Sequence, residues 1–178
     1  NVDETIEEQP KNLTVTDKWI LSKMNTVVKE VTANLETYEL GVALQKIYDF
    51  AWDEFCDWYI EMVKPRLYNK DDETRDAALH TLQTVLLNIL KMLHPFVPFV
   101  TEEIFLTIQD KEETIMLSKW PEYDESLGYT AEADEIEMIK NAIKAVRNVR
   151  AEMNVPPSRK VKMFVVTGDD KVGGAFAK

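Results

Sequence analysis

Apolar side chains that recur every three or four residues constrain this chain more than any other feature. From Thr14 to Leu35 they fall at Ile20, Met24, Val27, Val31 and Leu35, a single stripe that a helix must turn toward a core. Thr16 and Asp17 are candidate caps at its start, since their side-chain oxygens can accept from the unpaired amides of the first turn. A second stripe runs through Leu40, Leu44, Ile47, Ala51, Phe55, Trp58 and Met62, widened by Phe50, Trp52 and Tyr59. It should stop at Pro65, which lacks the amide another turn needs. A third helix is expected from about Glu73 to Leu93, apolar at Ala78, Leu82, Val85, Leu86, Ile89 and Leu93, with Leu79, Leu87 and Leu90 filling more of its circumference. Apolar residues over so much of a helix place it in the middle of a bundle. Prolines at 95 and 98 break it, and Thr101-Glu102-Glu103 opens a short helix with Ile104, Phe105 and Ile108. The prediction is a mainly α fold, an antiparallel up-and-down helix bundle.

A loop follows Trp120-Pro121-Glu122-Tyr123. A helix is then expected from about Ala131 to Met153, with Ile136, Ile139, Ile143 and Val146 on its buried face, until Pro156-Pro157 stops it. At 100° per residue, Lys140, Lys144, Arg147 and Arg150 lie within roughly 120° of one another and read as a basic face. The run from Lys160 to Val166 alternates basic and apolar before turning wholly apolar, which predicts one β-strand. A lone strand needs partners, so this segment reads as the first strand of a truncated small α/β module continuing past Lys178. Gly168 to Gly174 reads as a turn. The expected division is a helical bundle over 1–127 and a linker helix with the start of the module over 128–178. The opening at Asn1 without a methionine, and the stop just after a strand and a glycine turn, mark the chain as an excised piece of a longer protein.

The 178 residues, 45% of them hydrophobic, suffice for a packed core. Cys56 is the sole cysteine, so no intrachain disulfide forms and a reducing compartment fits. The greasiest stretch, Thr84 to Val100, is interrupted by Asn88, Lys91, His94, Pro95 and Pro98, well short of the roughly 18 apolar residues of a membrane span. Asp3, Glu4, Glu7 and Glu8 stand where a signal peptide would be basic and then apolar. The net charge of -11 argues against a polyanionic partner, but it is unevenly spread. Residues 1–139 carry 12 basic and 29 acidic side chains, a balance of -17, whereas residues 140–178 carry 9 and 3, a balance of +6. The basic segment is either a nucleic-acid surface or a solvated helix face.

Catalytic constellations are scarce. His80 and His94 are the only histidines, no Cys/His pair has metal-ligand spacing, and both fit packing or capping roles. Cys56 lacks a basic neighbour to activate it and reads as a buried inert thiol. Glu102-Glu103, at a helix start, favours the macrodipole. The glycines near the C-terminus lack the Gly-Lys-Ser/Thr ending of a phosphate loop. The informative run is Phe55-Cys56-Asp57-Trp58-Tyr59-Ile60-Glu61-Met62-Val63-Lys64-Pro65-Arg66, richer in aromatic and apolar groups than one stripe can bury. Exposed rings beside Lys64 and Arg66 suit unstacked bases, with cations on the phosphates. A core cluster sealed by the neighbouring helices explains the same spacing.

At these residues the chain resembles a known family. Asp17-Lys18-Trp19-Ile20-Leu21-Ser22 and Phe55-Cys56-Asp57-Trp58-Tyr59-Ile60-Glu61 are similar to the anticodon-binding helical region of bacterial-type valyl-tRNA synthetases, which are class I aminoacyl-tRNA synthetases. Leu93-His94-Pro95-Phe96-Val97-Pro98-Phe99-Val100-Thr101-Glu102-Glu103-Ile104 resembles a helical break shared with the isoleucyl and leucyl enzymes. Arg147-Asn148-Val149-Arg150-Ala151-Glu152-Met153-Asn154-Val155-Pro156-Pro157 is closest to the valyl ones. The likeness runs in order from about Thr16 to Val166; Phe105 departs from it, standing where the family usually has tryptophan.

The resemblance implies a parent that attaches valine to its tRNA with ATP and magnesium. The His-Ile-Gly-His and Lys-Met-Ser-Lys-Ser motifs of its catalytic domain are not in these residues, so no cofactor and no catalytic residue is expected in this piece. The expected partners are the tRNA(Val) anticodon stem-loop and the rest of the synthetase chain, in a cytoplasmic, monomeric enzyme. Trp58, Glu61, Lys64 and Arg66 are candidates for the anticodon side, and Arg147, Arg150, Arg159 and Lys160 for phosphates. Rival readings are the same region of an isoleucyl or leucyl enzyme, and a helical protein-interaction module that binds no RNA.

Overall fold

The computed structural model describes residues 10–176 apart from 110, 157, 161 and 169, and the regular elements among them are all helical. They fall into two compact units, one ending at Thr130 and one beginning at Ala131.

In the first unit, α1 spans Val15–Glu36 behind an extended Thr14. The Asp17 carboxylate accepts the Thr14 amide at 2.9 Å, so Asp17 caps from within the first turn and Thr14 takes the cap position expected further along. Trp19, Ile20, Leu21, Met24, Val28 and Val31 are buried, while Val27 is only half-buried. Neighbours on two sides of α1 broaden its buried face beyond one stripe. Its end is closed by the amides of Thr37, Tyr38 and Glu39, which donate to Ala33, Leu35 and Asn34. Tyr38 makes that turn at φ 62°, a left-handed conformation that leaves its ring exposed.

The second rod is one continuous helix of changing pitch. Residues Leu40–Asp49 form α2, Phe50–Ile60 wind as a π-helix, and Glu61–Tyr68 form α3. The wider π winding moves the inward face to Ala43, Ile47, Phe50, Phe55, Tyr59 and Val63. Leu40 and Leu44, expected inside, point outward with Tyr48 and Trp52. Pro65 lies within α3 and does not end it. A helix tolerates the lost amide when packing holds the turn, and here the buried Val63 and the contacts of Arg66 do so.

α4 (Arg75–Leu93) packs against α1, α2, α3 and α5, as its broad apolar surface predicts. α5 (Pro98–Ile108) begins three residues before Thr101, with Pro98 in the first turn, where a missing amide costs little. Glu102 therefore sits past the helix start, and its Oε2 accepts the Ile115 amide at 3.2 Å. Phe105 is buried with Leu90 and Ile115, so an aromatic smaller than tryptophan fills this core position. Short 3-10 turns occupy Ile115–Leu117 and Glu125–Leu127.

The loop before α6 is tied along α1. The Trp120 indole N–H donates to the Thr32 hydroxyl at 2.9 Å. Asn25 donates to the Asp124 carbonyl at 2.7 Å and accepts its amide at 2.9 Å. Lys29 and Lys18 lie over the rings of Tyr123 and Tyr129.

In the second unit, α6 spans Thr130–Glu152. It is ended by Asn154 at φ 53°, whose neighbour Val155 returns its amide to the Arg150 carbonyl at 2.8 Å. The stop thus precedes Pro156; Pro157 is outside the described residues. The expected strand is not present among the described residues. Val161 is not described, and residues 162–168 are irregular, because no described segment offers the ladder partner a strand requires. The predicted glycine turn is also corrected: Asp170–Phe176 form a short helix, α7. Glycine costs a helix only about 1 kcal/mol relative to alanine, and Ala175 is buried. The described part of this unit is therefore helical and shows no α/β module.

Candidate nucleic-acid interface

The aromatic run ends where the π winding passes into α3. That transition turns Phe55 and Tyr59 inward, with ring centroids 6.0 Å apart, and leaves Trp58 half-buried. Both sequence readings hold in part: the inner rings are core, and Trp58 borders the surface. One turn on, Glu61 and Lys64 form a surface ion pair. Exposed pairs of this kind contribute about 0–1 kcal/mol, so either partner can be drawn away by a ligand at little cost. Tyr48 and Trp52 add an exposed stacked pair, centroids 6.5 Å apart and planes within 5°.

Arg66 is placed differently from its expected role. Its guanidinium forms a fork on Asp17, with two N–H···O distances of 2.9 Å. It also donates to the Thr14 hydroxyl at 3.0 Å, the Thr74 hydroxyl at 2.8 Å and the Thr74 carbonyl at 2.6 Å. Those contacts use all five guanidinium donors. Asp17 has no exposed side-chain surface and Arg66 only 13%. The Tyr59 hydroxyl also donates to Asp17 at 2.9 Å; burial, then the Asp17 charge, push its pKa far above the usual phenol range. Arg66 thus has no donor left for a phosphate. It joins the end of α3 to the starts of α1 and α4, which positions the turn that carries Glu61 and Lys64.

In the second unit, Arg147, Arg159 and Lys160 are exposed. Arg150 is half-buried, and its guanidinium donates to the Pro156 and Arg159 carbonyls at 2.7 and 2.8 Å, which folds the chain after α6 back on the helix end. Lys140, assigned to the basic face, is instead buried at 1% exposure and paired with Glu137 at 3.1 Å. Its charge is neutralised inside the protein, so the basic face begins at Lys144.

The remaining reactive groups are poor catalysts. Cys56 is exposed, not buried as expected; partial desolvation and then the Asp57 charge raise its thiol pKa, so it stays protonated and unreactive. His94 places Nδ1 2.8 Å from the Thr101 hydroxyl and Nε2 3.1 Å from the Met116 sulfur. His80 buries Nδ1 without a partner among the described residues, and burial lowers its pKa. No group of three or more His, Cys, Asp or Glu among the described residues could hold a metal ion.

Comparison with known proteins decides what a bundle with this surface is. Residues 17–165 match the family described as the anticodon-binding domain of tRNA ligase. The chain belongs to that family. Similar proteins include the valine–tRNA ligase of Clostridium tetani, 49% identical over 95% of this chain and 20% of that protein. The valine–tRNA ligases of Clostridium perfringens and Geobacillus stearothermophilus are 48% and 41% identical over 90% and 93% of the chain, and 19% of each protein. The chain therefore spans about a fifth of the length of these relatives.

For an anticodon-binding domain, the sequence reading missed two features. The Arg66 network was signalled only by Asp17 standing three residues after Thr14, a capping pattern that says nothing about a partner far along the chain. The outward Tyr48–Trp52 pair has i, i+4 spacing, but its exposure follows from the π winding, which the sequence pattern did not announce.

Proposed function

We propose that this domain reads the anticodon stem-loop of tRNA(Val) within a valine–tRNA ligase. The observation that carries the reading is the family match over residues 17–165; the names of the similar ligases supply valine as the amino acid, which favours it over the isoleucyl and leucyl alternatives. Trp58 offers a ring edge to an unstacked base. Glu61 can accept from a base amino group and Lys64 can meet a phosphate, once their weak mutual pair opens. Arg66 holds this turn in place and does not touch RNA. Arg147, Arg159 and Lys160 supply salt-dependent phosphate contacts, while Arg150 shapes the loop that presents Arg159. ATP and magnesium belong to a catalytic part of the longer ligase. No helix among the described residues is long and apolar enough to cross a membrane; the reading places the ligase in the cytoplasm as a monomer.

The test compares binding of tRNA(Val) and of variants changed at the middle and third anticodon bases to the intact ligase. At ~1–3 kcal/mol per lost base-reading contact, each change should weaken binding about 5- to 150-fold. A Trp58→Ala, Glu61→Gln ligase should lose most of that discrimination. Equal affinity for all three RNAs in the unsubstituted ligase would overturn anticodon reading.

A further inference from the structure

The outward face of the second rod carries an apolar row. Leu40, Leu44, Tyr48 and Trp52 follow one another at four-residue spacing and are 54%, 38%, 57% and 57% exposed. In an α-helix such a row drifts around the axis by about 40° at each step. The π winding from Phe50 takes more residues into each turn and removes that drift, so positions 52, 53, 56 and 57 all stay exposed. At that exposure the two rings alone leave about 170–290 Å² in water. With the two leucines the patch reaches the size of the largest on a typical monomer, about 300–600 Å², which is often functional.

A second row runs beside the first. Asp49, Asp53 and Asp57 directly follow Tyr48, Trp52 and Cys56, and all three are exposed. Asp49 accepts from the neutral Gln45 amide, and none of the three forms an ion pair among the described residues. Lys46, the only lysine or arginine between positions 40 and 60, is paired with Glu30 on α1. Three carboxylates spaced by about 6 Å along one face repel each other. They repel phosphate as well, which disfavours RNA as the occupant.

We propose that this face docks a cationic amphipathic helix from the part of the ligase outside these residues; that there is such a ligase rests on the function proposed above. Charge complementarity sets the chemistry. An apolar row with an acidic row beside it matches a helix whose own apolar row is flanked by lysine or arginine, the pairing by which packed helices choose partners. The face runs from Leu40 to Asp57, about 25 Å at 1.5 Å per residue, enough for four or five turns of such a helix. Length sets the source. This chain spans about a fifth of its ligase relatives, so a segment of the other four-fifths is tethered to the bundle. Across a short linker, tethering gives an effective concentration on the order of millimolar, against which a separate protein must compete.

The test uses the intact ligase without RNA, probed by hydroxyl-radical oxidation read residue by residue in a mass spectrometer. Tyr48 and Trp52 should be protected, and the protection should persist on dilution. Carbodiimide, which joins carboxylates to amines in direct contact, should link Asp53 or Asp57 to a lysine outside the 178 residues. The Asp53→Lys, Asp57→Lys variant should release the segment and raise oxidation of Tyr48 and Trp52 about 5- to 30-fold. Trp19, with no exposed surface, is the folding control, and its slow oxidation should not change. Equal oxidation in the two ligases with no such cross-link would overturn the docking face. Cross-links between two copies, or protection lost on dilution, would make it a dimer contact, and protection gained only with tRNA(Val) would make it an RNA surface; either overturns the in-chain occupant. Equal affinity for the three RNAs compared above would overturn the functional reading and leave these RNA-free results standing.

Discussion

Replacing Arg66 with methionine removes the guanidinium but keeps much of its apolar stem. It takes away both N–H bonds of the fork on Asp17 and the three donated to Thr14 and Thr74. Breaking one side of a buried ion pair costs about 3–5 kcal/mol, because the remaining charge stays buried. Asp17 would still accept from the Tyr59 hydroxyl, the Thr14 hydroxyl and the Thr14 amide, which argues for the lower end, about 3 kcal/mol. For a chain of this length that corresponds to a fall of about 6–12 °C in Tm. Urea unfolding and thermal melting of the 178-residue chain would measure both. The Asp17→Asn change alone should also be costly, and the Asp17→Asn, Arg66→Met pair should cost at least 1 kcal/mol less than the two added, since neither leaves the other charge stranded. Additivity within about 0.5 kcal/mol, or a loss below 1 kcal/mol in Arg66→Met, would refute the assignment of Arg66 to the interior. A cost near 3 kcal/mol would also set a control for RNA-binding work, because weaker tRNA binding by an Arg66 variant then reports a displaced α3 turn.

Two further outcomes follow from single side chains. Burial lowers the His80 pKa in the folded state, so the unfolded chain, titrating near pH 6.5, takes up a proton first as the pH falls. This contribution to stability is therefore complete above that pH and is lost progressively as the pH drops through the folded value; the His80→Leu variant should show a smaller drop in urea midpoint from pH 7.5 to 5.5, and an equal drop would contradict it. Asn25 clamps the Asp124 backbone by a donor and an acceptor, so the Asn25→Ala variant should lose about 1–3 kcal/mol and expose the 120–129 loop to faster limited proteolysis, whereas unchanged cleavage would show that the Trp120, Tyr123 and Tyr129 contacts suffice.

Much of the fold was legible because helices are local. The apolar period predicted α1, α4 and α6 to within two residues of their ends, and the conflict of Pro95 and Pro98 with helix geometry marked the α4–α5 break. The reading failed where long-range packing overruled local preference. Pro65 lies inside a helix held by tertiary contacts, the π winding rotates the second rod's inward face, and a strand-like run remains irregular among the described residues for want of a partner. The candidate site divides in the same way. Trp58, Glu61 and Lys64 stand at the surface or its edge as the aromatic run implied, but Arg66 and Lys140 look from sequence like any other exposed cations.

By itself, the sequence determined the helical class, most element boundaries, the segregation of charge and the likeness to a tRNA-ligase family, since each is written in neighbouring residues or in ordered motifs. The tertiary structure alone decided which charges are free to act. Arg66 is neutralised by Asp17, 49 residues away, and Lys140 is buried against Glu137, whereas Arg147 and Lys160 stay exposed. A charge's availability depends on what the folded chain brings within a few ångströms of it, and periodicity carries no record of such a meeting.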